Sequence, residues 1–194
     1  MIAAEIYAKI KGKFGDAVSE LSDKGLDPFV VVTNAGRLSE LAVFLRSDPE
    51  LDFASLMCLS GVDDGANLSV VYNLCSMNKK HRFTIKVEGL GREEPHVPTV
   101  EHVWPTANWH EREAYDMFGI IFDGHSDLRR ILCPDDWEGW PLRKDYRVQE
   151  FWHGLRVPYP AGEDPARGRY AFRDVAETPY PPPPRPDDVD MTTP

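Results

Sequence analysis

Cysteine is scarce in this chain of 194 residues: Cys58, Cys75 and Cys133 stand 17 and 58 positions apart. They form no C-x-x-C unit, and so few scattered thiolates cannot alone hold a four-cysteine iron–sulfur cluster or zinc site. Cys58 and Cys75 lie in apolar runs, so both are expected to be small buried hydrophobes in a protein of a reducing compartment. Basic charge is also short, with Lys+Arg 22 against Asp+Glu 32 and a net charge of -10. That balance, without any basic cluster, argues against nucleic acid, whose phosphates are held mainly by Lys and Arg. Long apolar runs are missing as well, since nothing approaches the roughly 20 residues of a membrane-crossing helix. The N-terminus MIAAEIYAKIKGKFGD is amphipathic and has no apolar signal core.

Several site motifs are absent. Gly89-Leu90-Gly91 has Glu94 where a third glycine would complete a nucleotide loop, and Pro95 follows where a helix should open. No Gly-x-Ser-x-Gly elbow occurs. His102, His110, Glu111, Glu113 and His125 form the one local cluster of metal-ligand types, but after His110-Glu111 the second histidine of a zinc-protease helix is replaced by Ala114. Asp63-Asp64 and Asp135-Asp136 sit in turn-like sequence, where short acidic side chains bond nearby amides.

What is present supports a substantial core, with 42% apolar and 11% aromatic residues. A chain of this size can bury roughly 70% of its unfolded surface. Ile2, Ile6, Ile10 and Phe14 repeat every fourth position and predict a first helix. Phe29–Thr33 is a short β-branched strand, and Leu38, Leu41, Ala42 and Leu45 predict a second helix that Asp48-Pro49 stops. Phe53–Val62, Leu68–Cys75 and Arg82–Glu88, joined by short polar connections, predict an antiparallel meander. Phe83, Ile85 and Val87 alternate with Arg82, Thr84, Lys86 and Glu88, so one face is apolar and the other wet. The fold class is therefore α+β: a two-layer domain with a mostly antiparallel sheet covered by helices on one face.

The chain divides into an α+β domain at 1–98, a segment at 99–150 that completes it and supplies a docking face, and an extended C-terminal arm at 151–194. Residues 89–98 read as a connection. A short helix is expected around Val100–Val103, and a longer one from Trp109 to Phe118, capped by Asn108 and ended by Gly119. Ala114, Met117, Phe118 and Ile121 form its apolar stripe, while Arg112 and Asp116, at i and i+4, share another side with Asn108 and Tyr115. The bases nearby are mostly arginine, namely Arg112, Arg129, Arg130 and Arg143, with Lys144 the exception. Arginine's planar fork suits partly desolvated carboxylate pairs. This points either to a dry, charge-matched docking surface or to an internal ion-pair network closing the domain. The arm holds ten of the 17 prolines together with Phe151, Trp152, Tyr159, Tyr170, Phe172 and Tyr180, and is expected to lie along another protein.

The run Glu111-Arg112-Glu113-x-x-Asp116-Met117-Phe118, followed by His125 and Arg129-x-Ile131-Leu132, resembles the signature of the respiratory complex I 30-kDa subunit family, the C-type subunits of NADH-quinone oxidoreductase. The likeness continues through Pro134-Asp135-Asp136-Trp137-x-Gly139-x-Pro141-Leu142-Arg143-Lys144-Asp145-Tyr146. It implies a structural subunit of the peripheral arm of a proton-translocating enzyme, with FMN, iron–sulfur clusters and quinone chemistry in other subunits and no cofactor or active site here. It further implies neighbours in the large quinone-site subunit (D, 49-kDa type) and the small terminal-cluster subunit (B type). Glu111, Arg112, Glu113, Asp116, His125, Arg129, Arg143, Lys144 and Asp145 occupy motif positions; with Tyr115 and Arg130 they are expected to be interface or structural residues. A separate C-type chain at the cytoplasmic face of a bacterial inner membrane is the expected setting. Rival readings are a related subunit of a membrane-bound hydrogenase or of a reduced-deazaflavin or ferredoxin dehydrogenase. A further rival is a self-standing metal enzyme built on His102, His110 and His125.

Overall fold

A computed structural model describes residues 1–22, 28–149, 151–153 and 155–156. It divides into two compact units, Met1–Arg147 and Val148–Pro194. In the first, α1 (Ala3–Phe14) buries Ile6, Ile10 and Phe14, as the four-residue spacing predicts. Ile2 is instead exposed at the helix start, where its amide donates to the Glu5 carboxylate at 3.0 Å. Strand β1 (Phe29–Val32) leads through a short 3-10 turn into α2 (Leu38–Ser47), whose Leu38, Leu41, Ala42 and Leu45 are all buried. The helix stops at Asp48, whose carboxylate accepts the amides of Glu50 and Leu51.

Strands β2 (Ser55–Asp63), β3 (Leu68–Ser76) and β4 (His81–Leu90) form the expected antiparallel meander. The sheet is mixed, however, because β1 joins it parallel to β4, giving the order β1-β4-β3-β2. A short β-branched run announces a strand but not its neighbour, so this pairing is invisible to periodicity. Val30 stands opposite Ile85, which stands opposite Tyr72, which stands opposite Leu59. These side chains belong to the face that meets the core residues of α1 and α2. Arg82, Thr84, Lys86 and Glu88 point to the other, wet face. The β1 edge is partly sealed by bridges from Val18 to Val32 and from Ser22 to Phe29.

Beyond the sheet, two further strands stand where the sequence reads as connection or helix. Strand β5 (His96–Pro98) pairs in parallel with β6 (Ile121–Asp123), so Ile121 belongs to a strand and not to a helical stripe. Between them, residues 100–104 form hydrogen-bonded turns onto the Val100 carbonyl instead of a short helix. Trp104 is then driven into the core, with its indole N–H donating to the Phe53 carbonyl at 2.8 Å. Helix α3 runs from Ala107 to Phe118, two residues earlier than expected, and starts at Thr106 without a side-chain cap. Gly119 ends it in the left-handed conformation at φ 71. Cys58 and Cys75 correct another expectation: with Cys133 they are free and half-buried, because their positions on β2 and β3 fall on the uncovered face.

The second unit's described part is a hairpin of β7 (Phe151–Trp152) and β8 (Leu155–Arg156). The remainder of the expected arm lies outside the described residues.

Candidate functional site

Helix α3 crosses β2 at a glycine. A side chain at Gly61 would stand 2.5 Å from the Phe118 ring, so the missing Cβ lets helix and strand approach. After Gly119 the chain forms β6, and from 128 to 146 it has no regular secondary structure among the described residues. This segment is fixed by charge. The Asp116 Oδ2 atom accepts the backbone amides of Ile131 (3.1 Å), Leu132 (2.6 Å) and Cys133 (2.9 Å). Its Oδ1 accepts Arg130 Nη1 at 2.7 Å. Burial alone would push this carboxyl up, but the Cys133 and Leu132 amides, Arg130 and the Ile131 amide together hold it below its ordinary value.

Arg130 does more than pair. Its Nη2 donates to the carbonyls of Trp137 and Gly139, and its guanidinium lies 4.6 Å from the Trp140 ring centroid. Tyr115 meets the same ring edge-on at 5.3 Å. A side chain at Gly119 would come within 2.5 Å of that indole, so this glycine is required both by its backbone and by the packing.

A second anchor joins the sheet to the end of the segment. Asp63, at the end of β2, accepts both terminal nitrogens of Arg92 (2.7 and 3.0 Å), the amide of Gly65 (2.8 Å) and the amide of Lys144 (2.8 Å). The Arg92 pair is the main reason its carboxyl sits far below the usual range. Arg92 also reaches Asp145 at 2.6 Å. Arg143 donates to the Phe118 carbonyl at 2.6 Å and the Arg92 carbonyl at 2.7 Å, stitching helix end to connection. The turn reading of Asp63-Asp64 thus holds for local bonds, with Asp64 accepting the Ala66 and Asn67 amides, but it misses the long-range pair. No spacing joins Asp63 to Arg92 and Asp145, since Arg92 stands 29 positions from Asp63 and 53 from Asp145 and only the fold closes these gaps.

The third cluster centres on Glu111 and His125, both with fully buried side chains. Glu111 Oε2 accepts the Thr99 hydroxyl at 2.5 Å and its Oε1 the Val100 amide at 2.8 Å. Burial is the largest influence on Glu111; the two hydrogen bonds oppose it and the Glu101 charge adds to it, leaving the carboxyl pushed up to about 7. Glu101, which no motif in the sequence marks, accepts Asn108 Nδ2 at 2.7 Å and the Ser126 amide at 2.7 Å. Asn108 therefore ties the turn to α3 instead of capping the helix.

The signature residues thus separate into two groups. Glu111, Asp116, His125, Arg130 and Arg143 bond within the chain, and Lys144 contributes its amide, so the internal network accounts for much of the expected docking face. Arg112 and Asp116 do not pair; Arg112 Nη1 lies 3.9 Å from Asp127, its Nε bonds the Arg129 carbonyl at 3.3 Å, and its guanidinium stacks 4.9 Å from the Trp109 ring centroid. Arg129 is outward, bonded to Asp127 at 2.9 Å. Trp109, Glu113, Leu132 and Leu142 are exposed too. Between β2 and α3 a groove of about 270 Å³ is lined by Ser60, His110, Glu113, Met117 and Leu142, among others.

The histidines of the metal reading stand apart: His102 bonds Ser39 at 2.9 Å, His110 lines the groove and His125 is enclosed with Glu101. Among the described residues, no group of three or more His, Cys, Asp or Glu side chains is placed to hold a metal ion. Likewise no described helix is long and apolar enough to cross a membrane.

Residues 31–151 match the family described as "Respiratory-chain NADH dehydrogenase, 30 Kd subunit". A Chloroherpeton thalassium protein named as the C-type subunit of NADH-quinone oxidoreductase is 55% identical over 155 residues, covering 79% of this chain and 64% of that one. Its namesake in Chlorobium phaeobacteroides is 51% identical over 81% of this chain and 96% of its own length. A Salinispora tropica protein of the same name is 42% identical over 80% of this chain and 63% of its own. The match thus spans somewhat under two thirds of the Chloroherpeton and Salinispora proteins. Among solved structures, a chain of the membrane-bound sulfane sulfur reductase, an archaeal respiratory membrane complex, superposes with a TM-score of 0.62. That pair shares 20% identity and covers 89% of this chain and 93% of the other, a likeness of fold alone. By the extent of the family match and the identity to these relatives, this chain belongs to the respiratory-chain NADH dehydrogenase 30 Kd subunit family.

Proposed function

We propose that this protein is the C-type subunit of an NADH–quinone oxidoreductase, a structural member of its peripheral arm at the cytoplasmic face of a bacterial inner membrane. Identity of 42–55% to relatives bearing that name carries the reading and favours it over the hydrogenase-type and deazaflavin- or ferredoxin-linked alternatives. In this role FMN and iron–sulfur clusters reside in neighbouring subunits, which pass electrons from NADH to quinone. The chain contributes shape. Its buried ion pairs hold the irregular segment 128–146 against the sheet, so Trp109, Glu113, Arg129, Leu132 and Leu142 are presented outward as a rigid face to the large D-type and small B-type subunits. Exposed large apolar side chains together with exposed charge, Glu113 and Leu142 lining one groove, are the residue types a protein interface uses.

The test is native mass measurement of the membrane-extracted assembly, with identification of the chains that accompany this one. Large and small quinone-site subunits should be among them. Arg129→Ala with Leu142→Glu should release this chain from the assembly while lowering its own unfolding midpoint only slightly, because both side chains are exposed. Retention of the double variant would overturn the docking face, and flavin, iron or substrate turnover in the purified single chain would overturn the architectural role.

A further inference from the structure

The Glu111 cluster is not explained by docking, since the Glu111 and His125 side chains are fully buried and only Glu101, at 16% exposure, touches the surface. Three chain segments meet there: the turn at 99–101 after β5, helix α3, and the loop at 125–127 after β6. Thr99 and Val100 bond Glu111, while Asn108 and Ser126 bond Glu101. His125 lies between the carboxylates, its Nε2 3.6 Å from Glu101 and 3.9 Å from Glu111. From the sheet side comes Tyr72, fully buried, with a hydroxyl that has no hydrogen-bond partner among the described residues.

The hydrogen bonds define the imidazole. Its Nδ1 accepts the Asp127 amide at 3.0 Å, and its Nε2 donates to the Asn108 carbonyl at 3.2 Å. A second ring proton would turn Nδ1 from acceptor to donor and break the bond to Asp127. His125 therefore cannot become the counter-charge of Glu111 without loosening the loop. The other groups facing the cluster offer no replacement. Glu101 adds like charge, Tyr72 is neutral, and Arg112 is turned away to Asp127 and the Arg129 carbonyl.

We propose that Glu111, His125 and Glu101 form a buried proton-dependent clasp: with a proton on Glu111 it fastens α3 to the β5–β6 layer, and without one it loosens. As a neutral acid Glu111 can donate to the Thr99 hydroxyl while still accepting the Val100 amide. Deprotonation leaves an anion beside Glu101 in a site from which water is excluded, and relief requires either a proton on His125 or movement of the turn. The raised value of Glu111, about 7, sets the window. Unfolding restores an ordinary carboxyl, so the folded chain keeps a proton the unfolded chain has already lost. Stability from this source is complete below about pH 4.5 and disappears as pH rises through about 7.

The test uses the full chain and Glu111→Gln, whose amide keeps both hydrogen bonds without a titrating group. Urea unfolding at pH 5 and pH 8 should show the wild-type folding constant falling by about 10²-fold relative to that of Glu111→Gln. Glu113→Gln, exposed on the same helix, should follow the wild type. Protection of the backbone amides of residues 99–101 and 125–127 against hydrogen exchange, taken relative to the intrinsic base-catalysed rate at each pH, should fall over the same pH range in the wild type but not in Glu111→Gln. If Glu111→Gln does not fold, difference infrared spectra of the wild type decide: a protonated carboxyl band present at pH 6 and gone at pH 8 supports the clasp. Absence of that band at pH 6, or parallel pH profiles for wild type and Glu111→Gln, overturns it.

Discussion

Asp116→Ala is the sharpest test of how the irregular segment is held. The carboxylate accepts three consecutive amides and one arginine while fully buried, so its removal orphans the three amides and leaves Arg130 with carbonyl partners but no counter-charge. Leaving a buried charge unpaired costs about 3–5 kcal/mol, and each unsatisfied amide about 1–3 kcal/mol more if water cannot reach it. Residues 131–133 are exposed or half-buried, so water can relieve the amides in part. A net loss of about 4 kcal/mol is expected, a large share of the ~5–15 kcal/mol that holds a typical domain together. Urea unfolding of the full chain at pH 7, followed by tryptophan emission, measures it as a lower midpoint with little change in slope. Asp116→Asn should lose less, about 2 kcal/mol, because the amide keeps one acceptor but turns a donor toward other donors. Arg129→Ala, whose pair with Asp127 is exposed, should lose less than about 1 kcal/mol. If Asp116→Ala costs no more than Arg129→Ala, the segment is held by something other than this carboxylate.

Arg92→Ala removes the bidentate partner of nearly buried Asp63 and should lower the urea midpoint in the same assay by less than Asp116→Ala does, since Asp63 keeps the Gly65 and Lys144 amides. Gly119→Ala combines a left-handed backbone with a collision against Trp140; a loss of about 2–4 kcal/mol and a shifted tryptophan emission are expected. Asp63 and Asp116 are both held below the ordinary carboxyl value, so their stabilisation is present above about pH 4 and is lost as pH falls through their folded-state values. Acid titration monitored by circular dichroism should therefore show Asp116→Asn losing less stability than the wild type between pH 4 and pH 2.

The parts of the fold carried by periodic burial were legible. Leu38, Leu41, Ala42 and Leu45 mark one side of α2, and Phe83, Ile85 and Val87 mark the covered face of β4, because a regular element repeats its geometry at a fixed interval. Strands β5 and β6 have three residues each, too short to display a period, and Pro95 and Pro98 disguised the first. The charged cluster was visible as unusual composition around Arg112, Arg130 and Arg143, but its partners were not. Asp116 could be assigned to Arg112 by helical spacing or to Arg130 by folding back, and only the path of the chain after Gly119 decides. Asp63 was obscured by its own local bonding, since a turn-forming aspartate and an arginine-binding aspartate look identical in a sequence.

The enclosure of Asp116 and Asp63, whose side chains are 0% and 2% exposed, bears on how the protein behaves in concentrated electrolyte. Mobile ions screen charges they can approach, over a Debye length of about 3 Å at 1 M, and have little access to carboxylates enclosed to this degree. In the proposed assembly, molar chloride should thus weaken contacts made through exposed charge such as that of Arg129 well before it disturbs the chain's own fold.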